Sequence, residues 1–568
     1  MSEPGRLPVV LLWHMHQPQY RDALSGEYVL PWTYLHAIKD YVDMAAHLEA
    51  LPAARAVVNF TPVLIEQLAE LATRIGEHLD SGAALPDAVL ALLGPGAVPQ
   101  ATAERLALVR ACLRAQRKNM IERFAPYLEL ATLAETFNSP ERIGYASDQF
   151  VHDLAVWYHL AWLGETVRRA DPLVAALSAQ ARAFTAANRR DLLALVGRLV
   201  GSIIPRFRAL SDAGRCELSL TPYAHPLVPL LIDFNAVRQA QPTAALPRNG
   251  PYPGGAERAA WHMREGIRVF AEAFGKRPSG CWPSEGAISR ETLELIEQFE
   301  FRWTASSTNV LRASLLLSSD PARTLENRDF NRPYRLDNAS LRCFFRDDEL
   351  SDLIGFSYAT WRGDDAAANL VQELAAVARR LEGAPGHVVL IALDGENAWE
   401  HYPANGYFFL NALYAALTTH PDLELTTLSQ CTARDPLPAT LGRVVAGSWV
   451  HGTLATWMGD AAKNIAWELL CDAKRAFDRA AFEGEAGRAQ RSAAERQLAL
   501  CESSDWFWWF GDYNPADAVA QFDQLYRRQL VNLYRILKLT PPENLAHPLC
   551  IGHGAPEHGG AMRRASAG

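Results

Sequence analysis

Short β-forming runs that stop abruptly at clusters of polar and aromatic residues recur along this chain, and no other feature narrows its fold as much. PVVLLW (8–13) runs into His14 and His16, and CELSL (216–220) into TPYAHP. SGCW (279–282) runs into PSEG, and HVVLIAL (387–393) into DGENAWEHY. Further runs of the same kind are ARAVVNF (54–60), FRWTAS (301–306), LRCFFR (341–346) and LELTTL (423–428). A continuous apolar stretch such as VVLIAL suits a parallel strand buried on both faces. Strands alternating with long helical patterns make an α/β fold, either a barrel or an open doubly wound sheet. No G-x-G-x-x-G or Walker pattern follows any of these strands, which lowers the nucleotide-binding readings. Chemistry-bearing residues gathered at strand ends are what a barrel places at the C-terminal mouth of its strands.

The runs also divide the chain. Residues 61–214 are dominated by Ala, Leu, Arg and Glu at helical spacing and read as a helical insertion in a catalytic barrel domain spanning 1–430. AQPTAALPRNGPYPGG (240–255) is rich in Pro and Gly and reads as a long loop of the kind that covers a site. Beyond about residue 430 the strand signals fade. DAAKNIAWELLCDAKRAF and DQLYRRQLVNLYRILKL are amphipathic, so a helical C-terminal domain is expected over 431–550, contributing to the cleft, with a disordered tail at 551–568.

Composition excludes several partners. The net charge is −9 and the arginines are scattered among acids, so no nucleic-acid surface is indicated. The eight cysteines form no C-x-x-C pair, which argues against a thiolate metal site and a disulfide framework and fits a reducing compartment. MSEPGRLPVVLLW lacks the pattern of a signal peptide, and no apolar run is long enough to span a bilayer, so a cytoplasmic setting is expected. The 15 Trp and 17 Tyr are many, and several stand beside carboxylates. Rings that pack on sugar C–H faces, with acids that bond the hydroxyls, are how proteins hold carbohydrate.

Two carboxylates carry the clearest chemistry. Glu285 follows a strand beside Trp282, with Gly286 permitting a tight bend; by itself it is equally an acid at a helix start. Asp394 ends the most apolar strand and is followed by Glu396, Trp399, Glu400 and His401, a density beyond what a helix cap requires. Two carboxylates from different strand ends supply what glycoside hydrolysis needs, one as nucleophile or base and one as acid. His14 and His16 alternate along an extended segment and share a side. Structural, metal-holding and sugar-contacting roles stand level for them, with His225, His401 or Asp394 available as further zinc ligands. In GSWVHGTLATWMGDAAKN, Trp449, His451, Trp457 and Asp460 lie in a loop-like context that suits a binding role. In ESSDWFWWFGDYNP, Phe507 and Trp508 read as bundle core.

Taken in order, these segments resemble glycoside hydrolase family 57. HMHQP (14–18), LSLTPYAHPLVPLL (218–231), GCWPSEG (280–286), LDGENAWEHY (393–402) and WVHGTLATWMGDAAKNIAW (449–467) match its five characteristic regions in sequence order. FRDDELSDLIGFSY (345–358) and SDWFWWFGD (504–512) look like segments of its amylase and amylopullulanase-like branch. The resemblance implies an irregular seven-stranded (β/α) barrel followed by a helical domain, α-glucan substrates, and retaining double displacement. It implies Glu285 as nucleophile and Asp394 as general acid/base, without a cofactor or metal. His14, His16, Gln17, His225, Trp282, Glu396, Trp399, Trp449, His451, Trp457 and Asp460 become the expected sugar contacts. A 4-α-glucanotransferase using the same residues is the first alternative. DGENAWEHY lacks the histidine- and tryptophan-rich pattern of the branching members, which points away from branching. The fold's likeness to zinc-dependent α-mannosidases and polysaccharide deacetylases keeps a zinc hydrolase as an alternative by analogy, although HMHQP offers no acid beside its histidines. Intact Glu285 and Asp394 argue against a non-catalytic glucan-binding protein.

Overall fold

A computed structural model describes residues 5–318, 324–381, 385–434 and 438–554. The strands are β1 (Leu7–Met15), β2 (Ala56–Phe60), β3 (Cys216–Leu220), β4 (Gly280–Cys281), β5 (Trp303–Ser307), β6 (Tyr334–Arg335), β7 (Arg342–Arg346), β8 (Val389–Asp394), β9 (Leu423–Leu425) and β10 (Ala439–Thr440). Seven of them, β1-β2-β3-β4-β5-β7-β8, pair in parallel around a ring that closes where β8 meets β1. β9 lies beside the start of β1, while β6 and β10 extend the sheet outward from β7. The expected seven-stranded barrel is therefore the architecture.

The alternation of side chains along each strand explains why the polar clusters converge. Val10 and Leu12 of β1, Val57 of β2, Trp303 and Ala305 of β5, Phe344 of β7 and Leu390 and Ala392 of β8 form one inner cluster. Their odd-numbered or even-numbered neighbours pack outward against the helices. Continuing the same parity toward the C-terminal ends brings His14, Asn59, Ser219, Arg346 and Asp394 to the inner side of the mouth. The register aligns them: His14 sits opposite both Asn59 and Asp394, and Asn59 opposite Ser219. The bottom of the barrel is solid rather than hollow. Trp303 fills it so closely that a Cβ on Gly280 would fall 1.9 Å from the indole ring.

Helices occupy the chain between β2 and β3, from Pro62–Ser81 to Ala186–Asp212. The sheet continues to Thr440, past the domain boundary expected at 430, and the long C-terminal helices begin with Ala461–Arg479. Gly484–Cys501, Ser504–Trp509 and Ala516–Ile536 follow. The 240–255 loop lies along the first of these, Asn464 donating to the Ala245 carbonyl and Glu468 accepting from the Arg248 N–H. In the expected tail, Gly554 N–H donates to the Asn514 carbonyl, and residues 555–568 lie outside the described residues. Among the described residues no helix is long and apolar enough to cross a membrane.

Candidate active site

A cavity of about 350 Å³ opens at the C-terminal mouth of the barrel, and both predicted carboxylates line it. Glu285 stands just past β4 with φ of 60°, the left-handed region that non-glycine residues rarely occupy. Its neighbour Gly286, at φ 57°, continues the bend. Such a conformation costs about 1–2 kcal/mol and persists because its surroundings fix it. The fixing contacts are specific. Residues 447–449 run antiparallel beside 285–288, with Trp449 N–H donating to the Glu285 carbonyl and the Trp449 indole N–H donating to Glu285 Oε2 at 2.9 Å. Trp449 in turn packs on Trp282 beneath it, ring centroids 5.2 Å apart, and carries the Arg346 guanidinium 5.3 Å from its ring.

Asp394 closes β8, partly exposed to the cavity, and Oδ2 accepts from Asn397 at 2.7 Å. Burial pushes both carboxyls up, Glu285 to about 8 and Asp394 to about 6, and the charge of Asp394 adds to the rise at Glu285. Two carboxylates in one cavity cannot both ionise cheaply, so the pair holds a single proton over the interval between these values, and burial acts more strongly on Glu285 than on Asp394.

The histidines form a stack. His16 and His225 lie face to face at 3.9 Å, and His14 is 5.1 Å from His225. His16 Nε2 meets Asp505 Oδ2 at 2.9 Å and its Nδ1 meets Thr61 Oγ1 at 3.0 Å. Burial drives His14 down to about 3 and His225 well below the usual imidazole range, so both rings are neutral. His225, like Glu285, is held at φ 60°. Donor atoms of His16, His225 and Asp505 lie within 4.8 Å of one another, close enough for a cation. His16 and Asp505 are turned onto each other, however, and both ring nitrogens of His225 face other protein groups. The donor set is therefore engaged as a hydrogen-bonded network.

Of the other expected contacts, Gln17 and Glu396 reach the cavity wall and bond each other there. Glu396 Oε1 accepts from Gln17 Nε2 at 3.3 Å and from the His16 N–H at 3.1 Å, tying the loop after β1 to the loop after β8. Five expected contacts lie elsewhere. Trp282 is buried within the barrel cluster and Trp399 packs edge-on against Trp13 at 5.8 Å, its indole N–H on the Gly395 carbonyl. Trp457 is buried against Trp508. His451 is exposed on its loop, and Asp460 caps the helix Ala461–Arg479 through the Ala462 N–H at 2.8 Å. The loop 240–255 contributes nothing to the cavity wall.

Several lining residues were not singled out in the sequence, although Arg346, Ser504 and Asp505 fall within the family-like segments 345–358 and 504–512. Arg346 at the end of β7 bonds Asp348, Asp352 and the Ala392 carbonyl, and its charge lowers Asp394 against the larger effect of burial. Ser504 and Asp505 come from the helical domain, placed by Ser504 N–H on the His225 carbonyl. Ser504 Oγ lies 2.7 Å from His225 Nδ1 and 3.2 Å from Glu285 Oε1. Aromatic walls stand at two places: Trp32 and Trp162, centroids 5.8 Å apart, from the insertion side, and Trp508, Trp509 and Phe522 from the helical domain, with Trp509 stacked on Phe522 at 4.7 Å.

The family model described as "Glycosyl hydrolase family 57" matches residues 10–439. Among solved structures, a branching enzyme of that type from Pyrococcus horikoshii superposes with a TM-score of 0.57 at 16% identity, covering 94% of this chain and 88% of the other. A second, from Thermococcus kodakaraensis in complex with glucose, gives 0.58 at 16% identity over 94% and 90%. An alpha-amylase from Thermotoga maritima gives 0.55 at 15% identity over 94% of each chain. At these identities the superpositions establish the shared fold.

Proposed function

The chain belongs to glycosyl hydrolase family 57, and from that premise we propose that it cleaves α-glucans with retention, Glu285 acting as nucleophile and Asp394 as general acid/base. One observation carries this reading: two carboxyls with raised pKa, from the ends of the non-adjacent strands β4 and β8, share one aromatic-walled cavity. In the first step ionised Glu285 attacks the anomeric carbon, and the glycosidic C–O bond breaks as Asp394 gives its proton to the leaving oxygen. In the second, Asp394 takes a proton from the attacking hydroxyl, whose oxygen replaces Glu285 at the same carbon. A retaining pair requires carboxyl groups about 5–5.5 Å apart.

Hydrolysis and glucan transfer differ only in whether water or a sugar hydroxyl makes the second attack. The Thermococcus and Pyrococcus relatives named as branching enzymes and the Thermotoga relative named as an amylase stand on either side of that choice. Hydrolysis is the leading reading. Aromatic walls on two sides of the cavity give transfer, to 4-α-linked or branched products, specific support as the second, since an acceptor glucan needs a platform of its own. Product analysis from maltoheptaose and pullulan separates them. New reducing ends in step with bond cleavage mark hydrolysis; longer or α-1,6-branched chains without new reducing ends mark transfer. No action on any α-glucan contradicts the proposal.

A further inference from the structure

The buried side of the site holds hydrogen-bonding groups that two-carboxylate chemistry does not by itself require. One end of the Asn59 amide lies 2.6 Å from His14 Nδ1 and 2.8 Å from Thr221 Oγ1, and its other end lies 3.0 Å from Ser219 Oγ. His14 Nε2 is 3.1 Å from His225 Nε2. From there the contacts of His225 Nδ1 with Ser504 Oγ, and of Ser504 Oγ with Glu285 Oε1, complete an unbroken path to the nucleophile. We propose that Asn59, His14, His225 and Ser504 form a one-way hydrogen-bond chain that points the Ser504 hydroxyl hydrogen at Glu285 Oε1, and so keeps the proton of the carboxyl pair on Asp394.

The argument is a count of hydrogens. Two ring nitrogens 3.1 Å apart need one hydrogen between them. With both rings neutral, each has one hydrogen and one lone pair, so the chain has only two polarities. Its buried end decides between them. Thr221 Oγ1 lies 2.7 Å from the Trp282 carbonyl, which can only accept, and Thr221 has a single hydrogen to give. If the amide oxygen of Asn59 faces His14 and Thr221, as it is placed, that hydrogen fills only one of the two contacts and leaves two buried oxygens 2.7 or 2.8 Å apart with no hydrogen between them. Turning the amide exchanges oxygen and nitrogen without moving any heavy-atom position. The two hydrogens of Nδ2 then go to His14 Nδ1 and Thr221 Oγ1, the Thr221 hydrogen goes to the Trp282 carbonyl, and the Ser219 hydroxyl donates to Asn59 Oδ1. Every group is paired.

That polarity puts the His14 hydrogen on Nε2 and the His225 hydrogen on Nδ1. Ser504 Oγ then accepts from His225 and donates to Glu285. The opposite polarity works only if Glu285 itself carries the proton, which is the unreactive form of the nucleophile. The groups facing Glu285 pull both ways: burial and the negative neighbours Asp394 on β8 and Asp505 beside Ser504 oppose its charge, while the Trp449 N–H and the Ser504 hydroxyl donate to it and Arg346 on β7 is stacked on Trp449. The chain works against that burial, supplying a hydrogen that the ionised carboxylate alone can take. His14 on β1, His16 just past its end and His225 after β3 complete the surroundings. Ser504, His225, His14 and Asn59 are thus positioning residues, the last of them reaching the reaction only through the other three.

The chain's purpose rests on the role proposed for Glu285, but its polarity can be read without substrate. Nitrogen-15 NMR of the full-length protein, with the two rings assigned through His14→Gln and His225→Gln, should show the Nε2–H tautomer at His14 and the Nδ1–H tautomer at His225. The reverse tautomers, or an imidazolium at either ring, overturn the proposal. In Ser504→Ala the loss of a donor to a charged carboxylate should lower kcat about ten- to a hundredfold, leave KM little changed, and move the acidic limb of kcat/KM up by about one to two pH units. Asn59→Leu should move that limb in the same direction. An unmoved limb in a Ser504→Ala variant with wild-type melting behaviour also overturns it. Wild-type protein inactive on every α-glucan would instead defeat the functional reading and leave the tautomers to decide the chain.

Discussion

At the scale of single residues, the proposed nucleophile is a strained carboxylate held by borrowed donors. Glu285 sits in a left-handed backbone conformation, and its two oxygens take hydrogens from Trp449 and Ser504, neither of which belongs to its own strand-end loop. Trp449→Phe keeps an aromatic ring beside Trp282 and removes the indole N–H. A charge-assisted bond is worth about 1.5–3 kcal/mol, so steady-state assays should show kcat down about ten- to a hundredfold with a near-normal melting temperature; unchanged kcat would remove Trp449 from the account. Glu285 and Asp394 were legible in the sequence because each is a carboxylate immediately after a β-forming run. Trp399 and Trp457 were misread for a matching reason: an aromatic beside an acid looks the same whether the ring faces a cavity or Trp13. Trp508 is buried in the core as read and also lines the cavity, which a helix of six residues, Ser504–Trp509, has too little periodicity to reveal.

At the scale of elements, the buried acid Glu502 anchors the segment that brings Ser504 and Asp505 into the site. Its carboxylate accepts from Tyr252, from Arg258 at 2.8 Å and from His262 at 2.7 Å, all from the stretch leading through helix Gly255–Phe274. Burial pushes Glu502 up, yet Arg258 and His262 outweigh it and hold the carboxyl down at about 2. A carboxyl depressed on folding contributes stability that is present above its unfolded value, near 4.5, and is lost as pH falls through about 2. Glu502→Gln leaves Arg258 buried without its counter-charge and should cost about 3 kcal/mol or more at neutral pH. Denaturant titrations should show that deficit narrowing below about pH 4.5; a variant as stable as wild type at pH 7 would contradict the anchor. Seven of the eight runs were readable as strands because each is a β-forming stretch of five residues or more, and the two-residue β4 because SGCW runs straight into the polar cluster PSEG. β6 and β10, equally short, were not, because no such cluster follows them and two residues leave no period to detect.

At the scale of the molecule, one ring of strands and one helical domain assemble a single proton-sharing pair. Below about pH 6 both carboxyls hold protons and the nucleophile is lost; above about pH 8 both are ionised and the acid is lost. The pH profile of kcat/KM should therefore be bell-shaped with its plateau between these limits, and an optimum near pH 4 would contradict the burial that raises both groups. The barrel was legible from the order of strands and the polar residues behind them. The contribution of Ser504 and Asp505 was not, because it depends on how the helical domain docks, which no local pattern encodes. The central claim, that Glu285 forms a covalent bond to the sugar, is tested most directly by trapping. Asp394→Ala incubated with an α-glucosyl fluoride bearing fluorine at C5, then digested and sequenced by mass spectrometry, should carry one fluoroglucosyl unit on Glu285. An adduct on another residue, or none while the fluoride is still consumed, would contradict it.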